Sequence, residues 1–216
     1  MKKHLMKKYV WLNPVVLKMY GKAELEQAVR TAGYEMIFCK EDHIRQVKEQ
    51  YRKAVARAEC CVMDQRCPAA AARVKERYPQ SPVYFPNIDP ILIQSALELA
   101  ERVKEEKNAS LTVVTPCSWL SRLGKERGIP GTSFMTWLEF AASEDICLET
   151  KELSASPIPP GFFSGFGESA ESLASRSEID QFFLEKRYRQ VKIAEMFFCD
   201  QGCHHGDGIR EGGGEE

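Results

Sequence analysis

Short apolar runs alternate with amphipathic stretches along nearly the whole chain, and this alternation limits the fold more than any other feature. The spacing predicts strands over 14–19, 34–38, 60–63, 111–115 and 191–198, with a further candidate at 146–148. Helices are predicted over 22–32, closed by Gly33, and over 42–58, 68–78, 90–107 and 133–142. Pro68 suits a first helical position, Asp89 a helix cap, and 168–187 has a weaker helical period. Strand following helix following strand gives an α/β class with mainly parallel sheets flanked by helices. The stretch between Tyr78 and Asp89 reads as a joint, which divides one domain over 1–210 into two small lobes of about 10–85 and 86–205. The Pro/Gly-rich run 154–167 reads as a loop, and the glycine-rich tail 206–216 is expected to be mobile, most of all beyond Arg210.

Composition removes several classes of function. Lys and Arg number 30 against 31 Asp and Glu, a net charge of −1, so no basic field draws in nucleic acid. No segment approaches the roughly 20 apolar residues of a membrane helix, so no membrane insertion is expected. Lys7 and Lys8 interrupt what would be the apolar part of a signal peptide. A cytoplasmic protein is the expectation. The chain has no G-x-G-x-x-G or Walker pattern for nucleotides.

Eight cysteines in such a setting suggest metal or redox chemistry rather than a disulfide framework. Cys67 follows a predicted strand and precedes a helix through Pro68. Cys117 follows the run Leu111–Thr115 after Pro116, and Cys199 and Cys203 follow the last predicted strand. Carboxyl ends of parallel strands face the functional crevice, so these four thiols are expected to converge there. Four soft thiolates suit an iron–sulfur cluster or zinc. Gly202, Gly206 and Gly208 let the backbone pass close to an inorganic core. Cys39, Cys60, Cys61 and Cys147 read as structural thiols, and His204 and His205 as solvated. Trp119, Trp137 and Phe162, Phe163 and Phe166 read as packing residues. The charged helix 42–58, with Ile44, Val47 and Tyr51 as its apolar stripe, reads as a solvated face.

Three stretches then carry a resemblance. They are Gln65-Arg66-Cys67-Pro68-Ala69, Thr115-Pro116-Cys117-Ser118-Trp119-Leu120, and Glu195-Met-Phe-Phe-Cys199-Asp-Gln-Gly202-Cys203 running on to Gly206 and Gly208. In order and context this resembles the H-cluster domain of the iron-only hydrogenases and their relatives in cytosolic iron–sulfur assembly. The resemblance spans roughly 12–210. It implies two α/β lobes clamping a [4Fe–4S] cluster on Cys67, Cys117, Cys199 and Cys203, with Cys203 bridging to a two-iron subsite in active members. Arg66, Pro116, Glu195, Gly202 and Gly206 would surround that cluster.

The departures lie at the positions that serve the subsite. Where the family has a proton-relaying cysteine this chain has Arg66, which does not deprotonate near neutral pH. The subsite-anchoring lysine is Leu120, the relaying acid is Leu123, and two methionines are Thr115 and Phe197. The expectation is a degenerate member that binds one [4Fe–4S] cluster, without the two-iron subsite, for electron transfer or redox sensing. Arg66 is expected to favour the cluster's reduced form. Electrons would come from ferredoxin or another electron-transfer subunit, since the sequence has no further C-x-x-C series. The alternatives are a divergent active hydrogenase, and an interaction protein whose cysteines hold nothing.

Overall fold

The computed structural model describes residues 6–210 and 213; the remaining residues of the glycine-rich tail and the first five residues lie outside it. The protein is α/β, with two four-stranded, all-parallel sheets flanked by helices. The first sheet has the order β2-β1-β5-β6, from Tyr34–Met36 (β2), Lys7–Leu12 (β1), Ala109–Thr115 (β5) and Thr132–Thr136 (β6). The second has the order β4-β3-β8-β7, from Val83–Tyr84 (β4), Cys61–Met63 (β3), Ile193–Met196 (β8) and Ala170–Leu173 (β7).

Each sheet is covered on both faces, as parallel sheets require. On β1 and β5, Tyr9, Leu111 and Val113 meet Leu92, Ile93 and Leu99 of helix α5 (Ile91–Lys104). The alternate residues Val10, Leu12 and Val114 meet α1 (Pro14–Met19), α2 (Lys22–Thr31) and α7 (Trp137–Ser143) on the other side. The second sheet packs Met63 and Met196 against α4 (Pro68–Arg77) and α8 (Arg176–Leu184). Its other face meets Val47 and Tyr51 of α3 (His43–Arg57), with Phe163 edge-on to Tyr51.

The lobes are not successive halves of the chain. The strand pairs β1–β2 and β5–β6 belong to one sheet, and β3–β4 and β7–β8 to the other. The backbone therefore crosses between sheets after Met36, after Tyr84 and after Thr136, and a division near residue 85 cuts both lobes. Composition marks where a turn falls but not which sheet the next strand joins.

Local departures from the sequence reading have local causes. Residues 14–19 form a helix, because Asn13 Oδ1 accepts from the N–H groups of Val15 and Val16 and Pro14 supplies the first helical φ. Residues 133–142 divide into β6 and α7, because Thr136 and Glu139 form a capping box that starts the helix at Trp137. Residues 168–187 divide likewise, with Ser175 capping α8. The segment 146–148 is irregular, and α5 is preceded by Pro90, not capped by Asp89. Strand β1 and helix α6 (Ser118–Arg127) are additions to the sequence reading. No helix among the described residues is long and apolar enough to cross a membrane.

The start of the tail is packed rather than loose. Gly208 N donates to Pro116 O and Gly208 O accepts from Leu138 N, while Ile209 is buried in the core beside Trp137.

Candidate functional site

Two helices open on cysteines. Cys67 precedes α4 and Cys117 precedes α6, each at the cap position in extended backbone and neither making a side-chain cap hydrogen bond. The backbone N–H groups of Ala69, Ala70 and Phe198 near Cys67, and of Leu120 near Cys117, favour the thiolate and oppose the effect of burial. Cys199 and Cys203 lie in the segment after β8, where Gln201 and Gly202 both take positive φ, 54° and 118°. A side chain at Gly202 would stand 2.8 Å from the Ile158 carbonyl, so the turn is tight as well as left-handed.

These four cysteines wall one cavity of about 250 Å³. Cys117 arrives from the first sheet and the other three from the second. Gly206 brings the segments together: a Cβ there would lie 2.3 Å from Pro116 O. Asp207 accepts from Ser118 N at 2.9 Å and closes the same junction. The role of Asp207, and of Trp119 on the cavity wall, is absent from the sequence reading; Trp119 is 36% exposed and stacked by Arg122 rather than buried as packing.

All four thiols are pushed up by burial, Cys199 to about 12 and the others in the same direction. Their mutual repulsion adds to this: Cys117 feels Cys67 and Cys203, and Cys203 feels Cys67 and Cys199. Without a bound cation the thiols stay neutral; a metal would displace their protons. No three of these four sulfurs lie within 4.8 Å of one another. Among the described residues, Cys39, His43 and Glu98 form the one group of three or more ligating residues whose atoms all lie within 4.8 Å of one another. A single zinc would draw four sulfurs to about 3.8 Å from one another, given Zn–S near 2.3 Å. A polynuclear core, in which each thiolate binds its own metal, does not require that closeness.

Arg66 does not face this cavity as a free cation. Its Nη2 is 2.8 Å from Asp64 Oδ2 and 2.7 Å from Glu195 Oε1, and the guanidinium lies 3.6 Å from the ring of Phe162. Glu195, fully buried, also accepts from Gly161 N, Phe162 N and Ser172 Oγ. The arginine is thus neutralised by two carboxylates and fastens the Pro/Gly-rich loop to the second sheet, which removes the reason for it to favour a reduced cluster.

A second cavity, of about 360 Å³, abuts the first and shares Cys67, Cys203, Leu120 and Phe197 with it. Pro157, Pro159 and Ile158 of the same loop close its far side. Its charged lining residues are Asp64 and Arg66, which pair with each other.

The remaining cysteines sit elsewhere. Cys60 and Cys61 line a separate cavity with Pro82 and Lys192, and Cys61 is buried. Cys147 is exposed, so packing does not account for it. His204 is buried, not solvated: it stacks on His205 at 3.9 Å, and its Nδ1 has no hydrogen-bond partner among the described residues. Comparison with protein-family models and with curated proteins yields no match for this chain.

Proposed function

We infer that this protein holds a [4Fe–4S] cluster on Cys67, Cys117, Cys199 and Cys203 and serves in electron transfer or redox sensing. The observation that carries this reading is the meeting of four cysteines, from distant parts of the chain and both sheets, around one small cavity. The bound cluster would supply a one-electron couple. The chain's own residues supply four thiolates, N–H groups from the first turns of α4 and α6, and apolar walls that limit water and set the potential. Trp119 at the cavity wall gives a partner such as ferredoxin a contact close to the cluster.

The second cavity favours one rival, a divergent hydrogenase with a two-iron subsite beside Cys203. There is room for it, but Leu120 and Phe197 offer a cyanide ligand no hydrogen bond, and Arg66 is already committed to Asp64 and Glu195.

Anoxic purification or reconstitution should give about four iron and four sulfide per chain, lost in Cys199→Ala/Cys203→Ala, with no carbonyl or cyanide bands in the infrared. Such bands would establish the hydrogenase reading. Reconstituted, folded protein without iron would overturn both.

A further inference from the structure

Cys39 stands outside the four-cysteine cavity. It lies in the turn between β2 and α3, beside His43, the first residue of α3, and Glu98, midway along α5. One ligating atom of each lies within 4.8 Å of the others. Helix α3 turns His43, not Ile44, toward the protein: His43 is buried and Ile44 is 55% exposed.

Both ring nitrogens of His43 have partners. Gln46 Nε2 donates to Glu41 Oε2 at 3.1 Å, so Gln46 turns its Oε1 toward His43 Nδ1, also at 3.1 Å. An amide oxygen only accepts, so it suits the tautomer with N–H at Nδ1, the one that leaves the Nε2 lone pair for a metal. Nε2 stands 2.8 Å from Glu98 Oε2, the distance of a hydrogen bond whose proton a metal ion held by the same two atoms would displace. The other carboxylate oxygen, Oε1, is held by Lys40 N at 2.9 Å and Arg102 Nη1 at 3.1 Å, and Oε2 itself accepts from Glu41 N at 3.3 Å, which together orient the carboxylate beside the ring. A histidine whose far nitrogen donates to an oriented oxygen, next to an oriented carboxylate and a thiol, is the arrangement found around ligated zinc.

We propose that Cys39 Sγ, His43 Nε2 and Glu98 Oε2 bind one zinc ion, with a water completing the tetrahedron, at a site separate from the four-cysteine cavity. Sulfur, nitrogen and oxygen at one centre match zinc's borderline character, and three protein ligands leave one position open. Binding releases the Cys39 proton, and the ion takes the place of any proton on Nε2. The site ties the β2–α3 turn to α5, the helix that runs from β4 of the second sheet to β5 of the first. It does not depend on the cluster.

The test uses Cys199→Ala/Cys203→Ala protein, stripped with chelator, to remove the other thiol site from the count. Cobalt titration should give one equivalent, with visible bands of a four-coordinate ion and a single-thiolate charge-transfer band. Zinc should displace it. Cys39→Ser and His43→Gln should abolish that spectrum, and Gln46→Ala, which touches no ligand position, should weaken zinc binding roughly 10- to 100-fold. An imidazolium–glutamate ion pair in place of the metal site predicts no cobalt bands in this background, and that result overturns the proposal. So does a Gln46→Ala affinity within about twofold of its parent, which decides the matter even if Cys39→Ser fails to fold. Iron and sulfide content of the unmodified protein is a separate readout, so either site can fail without the other.

Discussion

Glu195 shows how one side chain can organise a site it does not enter. Buried, it accepts from Arg66, Ser172 and two backbone N–H groups of the Pro/Gly-rich loop. Glu195→Ala leaves Arg66 short of a partner and frees the loop. We expect a loss of about 3–5 kcal/mol in urea unfolding, with folded, equally stable variant protein as the contrary result. The raised thiols make a second prediction. A group whose proton is held more tightly in the folded state contributes stability that is intact below its ordinary value and lost as pH rises toward the folded one, here from near 9 toward about 12 for Cys199. Iron-free protein should therefore lose stability between about pH 8 and 10, below the range in which the raised tyrosines join in, while cluster-loaded protein should lose less, its four thiolates having given up their protons already. Equal loss in both, followed by thermal midpoint, would argue against ligation by these cysteines. That Cys67, Cys117, Cys199 and Cys203 line one cavity was legible in the sequence, because each follows a strand. Asp64 and the commitment of Arg66 were not, since the partner Glu195 is 129 residues from Arg66.

The helices show which local signals can be read and which cannot. α3 and α4 were legible from apolar spacing and, at Pro68, from the first helical residue. α1 was not, because Pro14-Val-Val-Leu has strand-like composition and the deciding group is the Asn13 side chain, whose Nδ2 is itself held by Val114 O. α6 shows a packing constraint of the same hidden kind. Gly124 is buried on it, and a Cβ there would stand 2.2 Å from Phe134 Cδ1 of β6. Gly124→Ala should therefore destabilise by about 1–3 kcal/mol by pushing α6, and Cys117 at its start, off the first sheet. Denaturant midpoints and cluster occupancy measure both consequences, and an unchanged midpoint would show that Phe134 yields freely.

Across the whole molecule, the α/β class was legible in the alternation of elements, while the interleaving of the sheets was not. Pairing partners are set by side chains meeting at long range, and no local run records them. Because β5 and β6 complete the sheet begun by β1 and β2, separate segments covering 1–85 and 86–216 should each lack a central strand pair. We expect neither to give a cooperative unfolding transition alone, with native circular dichroism and a melting transition in either half as the result against this.

The same interleaving bears on how the chain reaches its native state. Asn13 meets Val114 across 101 residues and Arg66 meets Glu195 across 129, so the middle of each sheet closes only through very large loops. Such closure is slow, and until it happens β1 and β3 expose unpaired edges that other copies can join. Refolding yield should thus fall steeply with protein concentration, well before native stability becomes the limit.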